Sequence, residues 1–259
     1  MIDLVVDGRG VARLTLARAD KHNALSQAMI DALTQAAATI AADSRIRVVV
    51  LAAEGPTFCA GGDLGWMRDQ MAADRQTRRA AAFSLARMLG ALNQLPQPVI
   101  GRIQGNAFGG GIGLACICDV AIGVQGARFG LTETRLGLIP ATIGPYVLAR
   151  MGEAKARRVF MSGRVFDASE AVALDLLARA VPPAALDEAV DAEITPYLSC
   201  GPAAVAAAKR YARSLGPVID DSVIAQSVAA LLACWDGPEA AEGIAAFFDK
   251  RPPHWPGLG

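Results

Sequence analysis

The sequence predicts an α/β core followed by an all-helical C-terminal region, and three observations carry that reading. Strand-like runs alternate with amphipathic helical patterns as far as Gly123, and strands nearly vanish from about Gly144 onward. Between them, the nine-residue segment from Gly105 to Gly113 holds five glycines directly after a buried-strand pattern at Val99 to Ile103. Glycines in such a run bring backbone N–H groups close to a ligand, and a following helix adds its unpaired N-terminal donors.

The elements follow in order. Leu4 to Val6 and Val11 to Leu16 read as a hairpin through the turn Asp7 to Gly10. Ser26 caps a helix whose apolar positions Met29, Ile30, Leu33, Ala37 and Ile40 recur at helical spacing. A strand at Arg47 to Ala52, a helix at Arg75 to Gln94 stopped by Pro96, and strands at Val99 to Ile103 and Val120 to Gly123 complete the core. Helical patterns then run over Val147 to Met151, Ala154 to Ser162, Ala168 to Leu174, Ala184 to Leu198, Ala203 to Leu215, Asp220 to Cys234 and Pro238 to Phe248. Only Ala178 to Val181 looks extended there. The breaks at Pro196, Gly201-Pro202 and Gly216-Pro217 place a boundary near residue 196, giving a core over 1–195 and a helical region over 196–259. The Ala-rich C-terminal helices are expected to pack on neighbouring subunits.

Composition excludes several functions. The chain has 259 residues and is 53% hydrophobic, enough for one large domain, or a domain with a small appendage. No apolar run approaches the roughly 18 to 20 residues that cross a bilayer, so no membrane association is expected. The segment Met1 to Val6 has neither a basic lead nor an apolar stretch with a cleavage site, and the expected location is cytoplasmic. Formal net charge is zero with both signs mixed, so nucleic acid is not the expected partner. The five cysteines are odd in number and lack zinc-knuckle spacing; they are expected to be reduced and buried, with Cys116 and Cys118 on one face of a strand-like stretch.

Two segments carry the chemistry. Phe58-Cys59-Ala60-Gly61-Gly62-Asp63 follows a strand, as the Gly105 run does, and two donor loops suggest a two-pronged oxyanion hole. Asp63 is a carboxylate beside a glycine loop, but it reads better as the cap of a helix carrying Trp66 and Met67. His22 and His254, the only histidines, lack the partners of a triad and are expected to face solvent.

The ordered series Ala60-Gly61-Gly62-Asp63, Gly109-Gly110-Gly111, Phe129-Gly130-Leu131-Thr132-Glu133 and Gly137-Leu138-Ile139-Pro140 resembles the enoyl-CoA hydratase/isomerase, or crotonase, superfamily. The resemblance runs from Asp20-Lys21-His22-Asn23-Ala24-Leu25 to Phe247-Phe248-Asp249-Lys250-Arg251-Pro252. It implies a crotonase-type spiral of repeated ββα units with a C-terminal helical trimerisation region, as a homotrimer or dimer of trimers. It implies an acyl-CoA thioester as substrate, with coenzyme A part of that substrate and no metal or redox cofactor. The N–H groups of Ala60 and Gly110 match the positions that hold the thioester carbonyl. Glu133 matches the glutamate that exchanges a proton with the α carbon, and its apolar neighbours would raise its pKa; the plain alternative is a surface ion pair with Arg135.

Further contacts follow from the same resemblance. Lys21, Ala24 and Leu25 match the loop bordering coenzyme A, and Lys250 in the last helix matches a basic position near the nucleotide, although either lysine is also an ordinary solvated charge. Gly61, Gly62, Asp63, Leu64, Gly109 and Gly113 fall at substrate-facing positions, and Trp66 and Phe108 are candidates for the acyl pocket wall. Gly113 stands where two-glutamate hydratases carry an acid that orients water. Either Glu133 hydrates the substrate alone, or no water is added and Glu133 shuttles a proton between carbons as in single-glutamate isomerases. Longer strings around Gly62, Gly110 and Gly137 resemble the methylglutaconyl-CoA and isohexenylglutaconyl-CoA (carboxygeranoyl-CoA) hydratases, whose substrates carry a second carboxylate; Arg68 and Arg135 are the candidates to meet it. A relative that binds acyl-CoA or RNA without catalysis is the reading of another class.

Overall fold

The computed structural model describes residues 1–255. The N-terminal hairpin forms as expected, with β1 (Ile2–Val6) antiparallel to β2 (Val11–Leu16). Asp7 closes its turn by accepting the Arg9 and Val11 N–H groups, each at 2.9 Å. Helix α1 (Gln27–Ala42) is capped by Ser26, whose hydroxyl accepts the Met29 N–H, and its predicted apolar face is buried.

From there the chain repeats a unit of long strand, short strand and helix. The first comprises β3 (Val48–Ala53), β4 (Thr57–Cys59) and the helices α2 (Leu64–Ala72) and α3 (Arg75–Asn93). The second comprises β5 (Val99–Ile103), β6 (Asn106–Phe108) and α4 (Gly110–Cys116). The third comprises β7 (Val120–Val124), β8 (Arg128–Gly130), a 3-10 turn at Glu133–Leu136 and α5 (Gly144–Phe160). Then come β9 (Val165–Asp167), α6 (Ala168–Ala173), β10 (Arg179–Val181), α7 (Leu186–Ser199), α8 (Pro202–Leu215), α9 (Asp221–Trp235) and α10 (Pro238–Phe248).

The long strands build a six-stranded sheet in the order β1-β2-β3-β5-β7-β10, parallel from β2 onward. The short strands build a second sheet in the order β4-β6-β8-β9. Because each short strand directly precedes a helix or turn, the second sheet gathers the ends of all three units at one place. Continuous burial of β3 on both faces is what a parallel sheet covered by helices requires.

Several expectations need correction. The four short strands went unread, β9 among them, because three residues are too few to show an alternation. Cys116 ends α4 and Cys118 follows in the turn after it, so they do not share a strand face; both are buried, whereas Cys200 is exposed and Cys234 half-buried. The boundary at residue 196 falls inside α7, which carries Pro196 in its last turn and runs to Ser199. By contrast, the two helical patterns expected on either side of residue 152 do form, α5 being broken between them where Gly152 takes φ 70° and ψ 155°.

The C-terminal helices pack on the chain's own core. Lys209 of α8 reaches Asp119 at 2.6 Å and the Gln97 carbonyl at 2.8 Å, and Arg213 donates to Asn93 at 2.7 Å. Helix α10 lies backbone to backbone on the 3-10 turn: a Cβ on Gly243 would meet the Leu136 carbonyl carbon at 2.5 Å, and one on Gly137 would meet that of Glu239 at 2.3 Å. Leu138, Ala240 and Ile244 are buried together there, with Met67 and Met71 of α2 against them. Among the described residues no helix is long and apolar enough to cross a membrane.

Candidate active site

The site begins in the loop between β2 and α1. After a 3-10 turn at Ala19–Lys21, His22 and Asn23 both take left-handed backbone, at φ 50° and 53°. Asn23 suits that conformation and is fully buried. Its carbonyl oxygen accepts the Arg18 N–H at 2.9 Å, while its amide donates to the Glu54 and Thr57 carbonyls, each at 2.8 Å. The loop is thereby held alongside residues 60–63, where the Leu25 N–H donates to the Gly61 carbonyl at 2.7 Å and the Asp63 N–H to the Leu25 carbonyl at 3.0 Å. Ala24 and Leu25 are buried in this seam, whereas Lys21 and His22 are exposed.

This pairing corrects one oxyanion donor. The Ala60 N–H is bonded to the His22 carbonyl at 3.0 Å, so it does not face a ligand. Two residues on, Gly62 is exposed, and among the described residues its N–H has no protein partner. The backbone alternates in direction along an extended segment, so a shift of two residues keeps the same side. The Gly110 N–H, the first of α4, likewise has no partner among the described residues, as expected at a helix start. The two loops are in contact, with Gly61 Cα 3.9 Å from where a Cβ on Gly110 would stand, and Leu25 fills the space beneath Gly110.

Asp63 is the expected cap of α2. Its carboxylate accepts the Gly65 N–H at 2.8 Å and the Trp66 N–H at 3.1 Å, and pairs with Arg18 at 2.8 Å. Burial pushes its pKa up, but the Trp66 N–H and Arg18 outweigh this and hold it below the usual carboxylate range. It serves structure, not proton transfer. Trp66 is half-buried with its ring against Gly62, so it walls the donor loop, while Leu64 is 51% exposed.

Glu133 has the opposite setting. It opens the 3-10 turn, and its carboxyl Oε1 would be 2.9 Å from a Cβ on Gly109, which takes φ 47° and admits no side chain there. Oε2 is buried with no hydrogen-bond partner, and among the described residues no ion pair reaches the carboxyl, Arg135 included. Burial pushes its pKa up to about 7, against a weaker pull from its own N–H. The carboxyl thus lies directly over the glycine that precedes the Gly110 donor, poised to hold or release a proton near neutral pH.

Other expected residues stand further off. The Phe108 ring lies on Gly130 of β8, 3.3 Å from where a Cβ would be, and its carbonyl faces Gly61. Lys250 is exposed and left-handed at φ 54°, two residues past α10 and so outside the last helix. Arg68 is stacked on the Phe248 ring at 4.4 Å, and the stem of exposed Arg135 lies against Gly163, so neither extends freely into the site. Gly113 follows Gly109 by one turn of α4, its N–H donating to the Gly109 carbonyl at 3.1 Å. A Cβ at Gly113 would meet Ile143 Cγ2 at 2.6 Å, so aliphatic carbon occupies that space. Arg18, Asn23 and Ile143 received no role from the sequence. An Asn ahead of a buried Ala-Leu pair is a signal for left-handed backbone, but nothing local announces Ile143, which arrives from another element.

Comparisons with known proteins identify the family to which this fold belongs. The family model for enoyl-CoA hydratase/isomerase matches residues 7–257. The chain is 30% identical, over a 267-residue alignment, to the mitochondrial methylglutaconyl-CoA hydratase of Mus musculus, covering 97% of this chain and 81% of that protein. Among solved structures, an enoyl-CoA hydratase from Shewanella pealeana superposes with a TM-score of 0.80 at 38% identity, covering 98% and 95% of the two chains. One from Mycobacterium avium gives 0.85 at 31% identity, covering 98% of both. The chain therefore belongs to the enoyl-CoA hydratase/isomerase family.

Proposed function

We propose that the protein adds water to an α,β-unsaturated acyl-CoA thioester of the branched 3-methylglutaconyl type, using Glu133 alone for proton transfer and the Gly62 and Gly110 N–H groups as the oxyanion hole. The observation that carries this is the enclosed, unpartnered Glu133 carboxyl lying over Gly109, one residue from a free N–H. The thioester oxygen accepts both N–H groups. Water attacks the β carbon as its proton passes to the Glu133 carboxylate, and the electron pair of the double bond moves to form a thioester enolate. Protonated Glu133 then delivers that proton to the α carbon, which regenerates the carboxylate. The donors favour the enolate over the ground-state carbonyl, since charge develops only there. The name of the Mus musculus relative supports the substrate class.

A second reading is favoured by the aliphatic fill at Gly113: Glu133 moves a proton between carbons and the double bond migrates without water. Turnover of 3-methylglutaconyl-CoA in oxygen-18 water separates the two. Label at the β carbon is the expected result, whereas a shifted double bond without label would falsify hydration. The assembly we propose is a homotrimer or a pair of trimers, supported by the exposed Tyr211, Leu215 and Val218 on and beyond α8. Light scattering at a multiple of three times the 26.9 kDa chain is the expected outcome.

A further inference from the structure

Helix α8 has two different faces. Lys209 and Arg213, four residues apart, turn inward to Asp119, Gln97 and Asn93, whereas Tyr211 and Leu215, displaced by about half a turn, are 67% and 71% exposed. The inward face closes a cavity of about 970 Å³ against α5, the end of α7 and the segment from Gly216 to Ile219. A subunit docked on Tyr211 and Leu215 would sit on the other side of the helix. The cavity lies at the starts of β5 and β7, where Pro98 and Asp119 line it, while Gly110 and Glu133 follow the far ends of the same strands. Helix α4, about 10 Å long at seven residues, separates Gly110 from Cys116 on the cavity wall.

The lining carries more positive charge than it neutralises. Arg150, Lys209, Arg210 and Arg213 stand there with one carboxylate, Asp119. That carboxylate is already engaged: its Oδ2 accepts the Lys209 ammonium at 2.6 Å and the Val99 N–H at 2.8 Å, which leaves Oδ1 to Arg213 at 3.5 Å. Arg150 has neutral partners only, the Cys118 and Asp119 carbonyls. Among the described residues no carboxylate reaches it, and the Nε atoms of Arg150 and Arg213 are buried without a partner. Guanidinium groups drawn out of water without counter-charge are costly, and an anion bound beside them would offset that cost. Much of the remaining wall is aliphatic, formed by Ala149, Val205, Ala208, Ala212 and Ile219.

We propose that this cavity is a second binding site, for an aliphatic carboxylate of medium chain length: the head group meets the Arg150 and Arg213 guanidiniums, and the tail lies along the aliphatic wall. The planar guanidinium fork matches a carboxylate in shape as well as charge. The volume is at the upper end of what small-molecule sites enclose, so a chain of roughly ten carbons fits. A small inorganic anion would meet the charge but leave the aliphatic wall bare.

Titration calorimetry of the full-length protein with decanoate tests head and tail separately. The wild type should bind decanoate, with acetate about a hundredfold weaker because each buried methylene adds affinity, and decanol about tenfold weaker for want of the charge. Arg150→Gln should weaken decanoate about tenfold and Arg150→Lys by less. Val205→Phe, which fills the aliphatic side one turn before Lys209 and keeps every cation, should weaken it too. The rise in Tm that decanoate gives the wild type should shrink in step; should Arg150→Gln fail to fold, Arg213→Gln takes its place. Saturating butanoyl-CoA should leave decanoate binding unchanged. Displacement by butanoyl-CoA would put the carboxylate in the reaction site, and equal affinity in the wild type and every variant would put it elsewhere on the surface; either result overturns the assignment, as does absence of binding. Decanoate binding with this pattern in a protein that hydrates no enoyl-CoA would uphold the second site and defeat only the proposed reaction.

Discussion

Asp63 and Glu133 are carboxylates beside two glycine loops that meet at one site, yet their surroundings differ in kind. Asp63 accepts two backbone N–H groups and pairs with Arg18, so its charged form is held by three donors. Glu133 leaves Oε2 buried with no partner, and its pKa is pushed up to about 7 while that of Asp63 is held down. A carboxylate anchored by donors keeps its charge and fixes backbone; one enclosed without donors can exchange a proton near neutral pH. Proximity to a donor loop therefore does not identify the proton carrier. The donors around the carboxyl do.

The sharpest way to break this contrast is to remove each acid's proton chemistry without changing its shape. Glu133→Gln should lower kcat by roughly 10² to 10⁴-fold, the usual contribution of a placed acid-base group, whereas Asp63→Asn should leave kcat within a few-fold. Stopped-flow or steady-state assays at saturating enoyl-CoA read both. Comparable losses in the two variants would dissolve the distinction.

The pH dependence follows from the same difference. Glu133 has a folded pKa near 7 against 4.5 for the unfolded group, so the folded protein binds more protons across that window. Stability from this group is present below about pH 4.5 and is lost as pH rises through 7, by about 3 kcal/mol at ~1.4 kcal/mol per unit. Denaturant titrations between these limits should show the slope in the wild type and not in Glu133→Gln. Asp63 has the opposite sign, its contribution lost as pH falls through its lowered pKa. Activity that needs ionised Glu133 should rise with pH and level off above about 7.

How far the sequence revealed this depends on how local each signal is. The Ser26 and Asp63 caps, the β1–β2 hairpin and the break at Gly152 are written in neighbouring residues, and all were legible. Glu133 and Gly110 were singled out through the order of the motifs, and the structure brings them together through Gly109. The free N–H of this loop was expected at Ala60 and lies at Gly62, because the direction of an N–H depends on which carbonyl another segment offers, here that of His22. The fill at Gly113 was invisible for a similar reason, since Ile143 lies thirty positions away on α5. The three-residue strands of the second sheet carried no period to read, whereas β10 was read as extended although it is no longer than they are.

Asn23 tests whether the oxyanion loop owes its position to the seam beside it. Its side chain satisfies one N–H and two carbonyls in a buried setting, and Asn23→Ala leaves these without partners in left-handed backbone that alanine disfavours. A loss of about 2 kcal/mol is expected by urea denaturation. Because Asn23 does not touch Glu133, the pH midpoint of kcat should stay near that of the wild type while kcat itself falls. A shifted midpoint would show that the seam also sets the environment of Glu133.

The smallest effect returns to Asp63. Asp63→Ala removes a helix cap, usually worth about 1 kcal/mol, and the partner of Arg18 in a pair whose side chains are only 22% and 14% exposed, which adds to that cost. The Arg18 guanidinium also reaches the Ala24 carbonyl at 3.3 Å, so it retains a partner after the change. The loss should therefore appear as a modestly lower Tm at pH 7 that vanishes as the pH is lowered below the pKa of Asp63, where the wild-type carboxylate is itself protonated. If Asp63→Ala instead abolished turnover with Tm nearly unchanged, the carboxylate would belong to the chemistry, and its three donors would have to be read as tuning a reactive acid and not as fixing the first turn of α2.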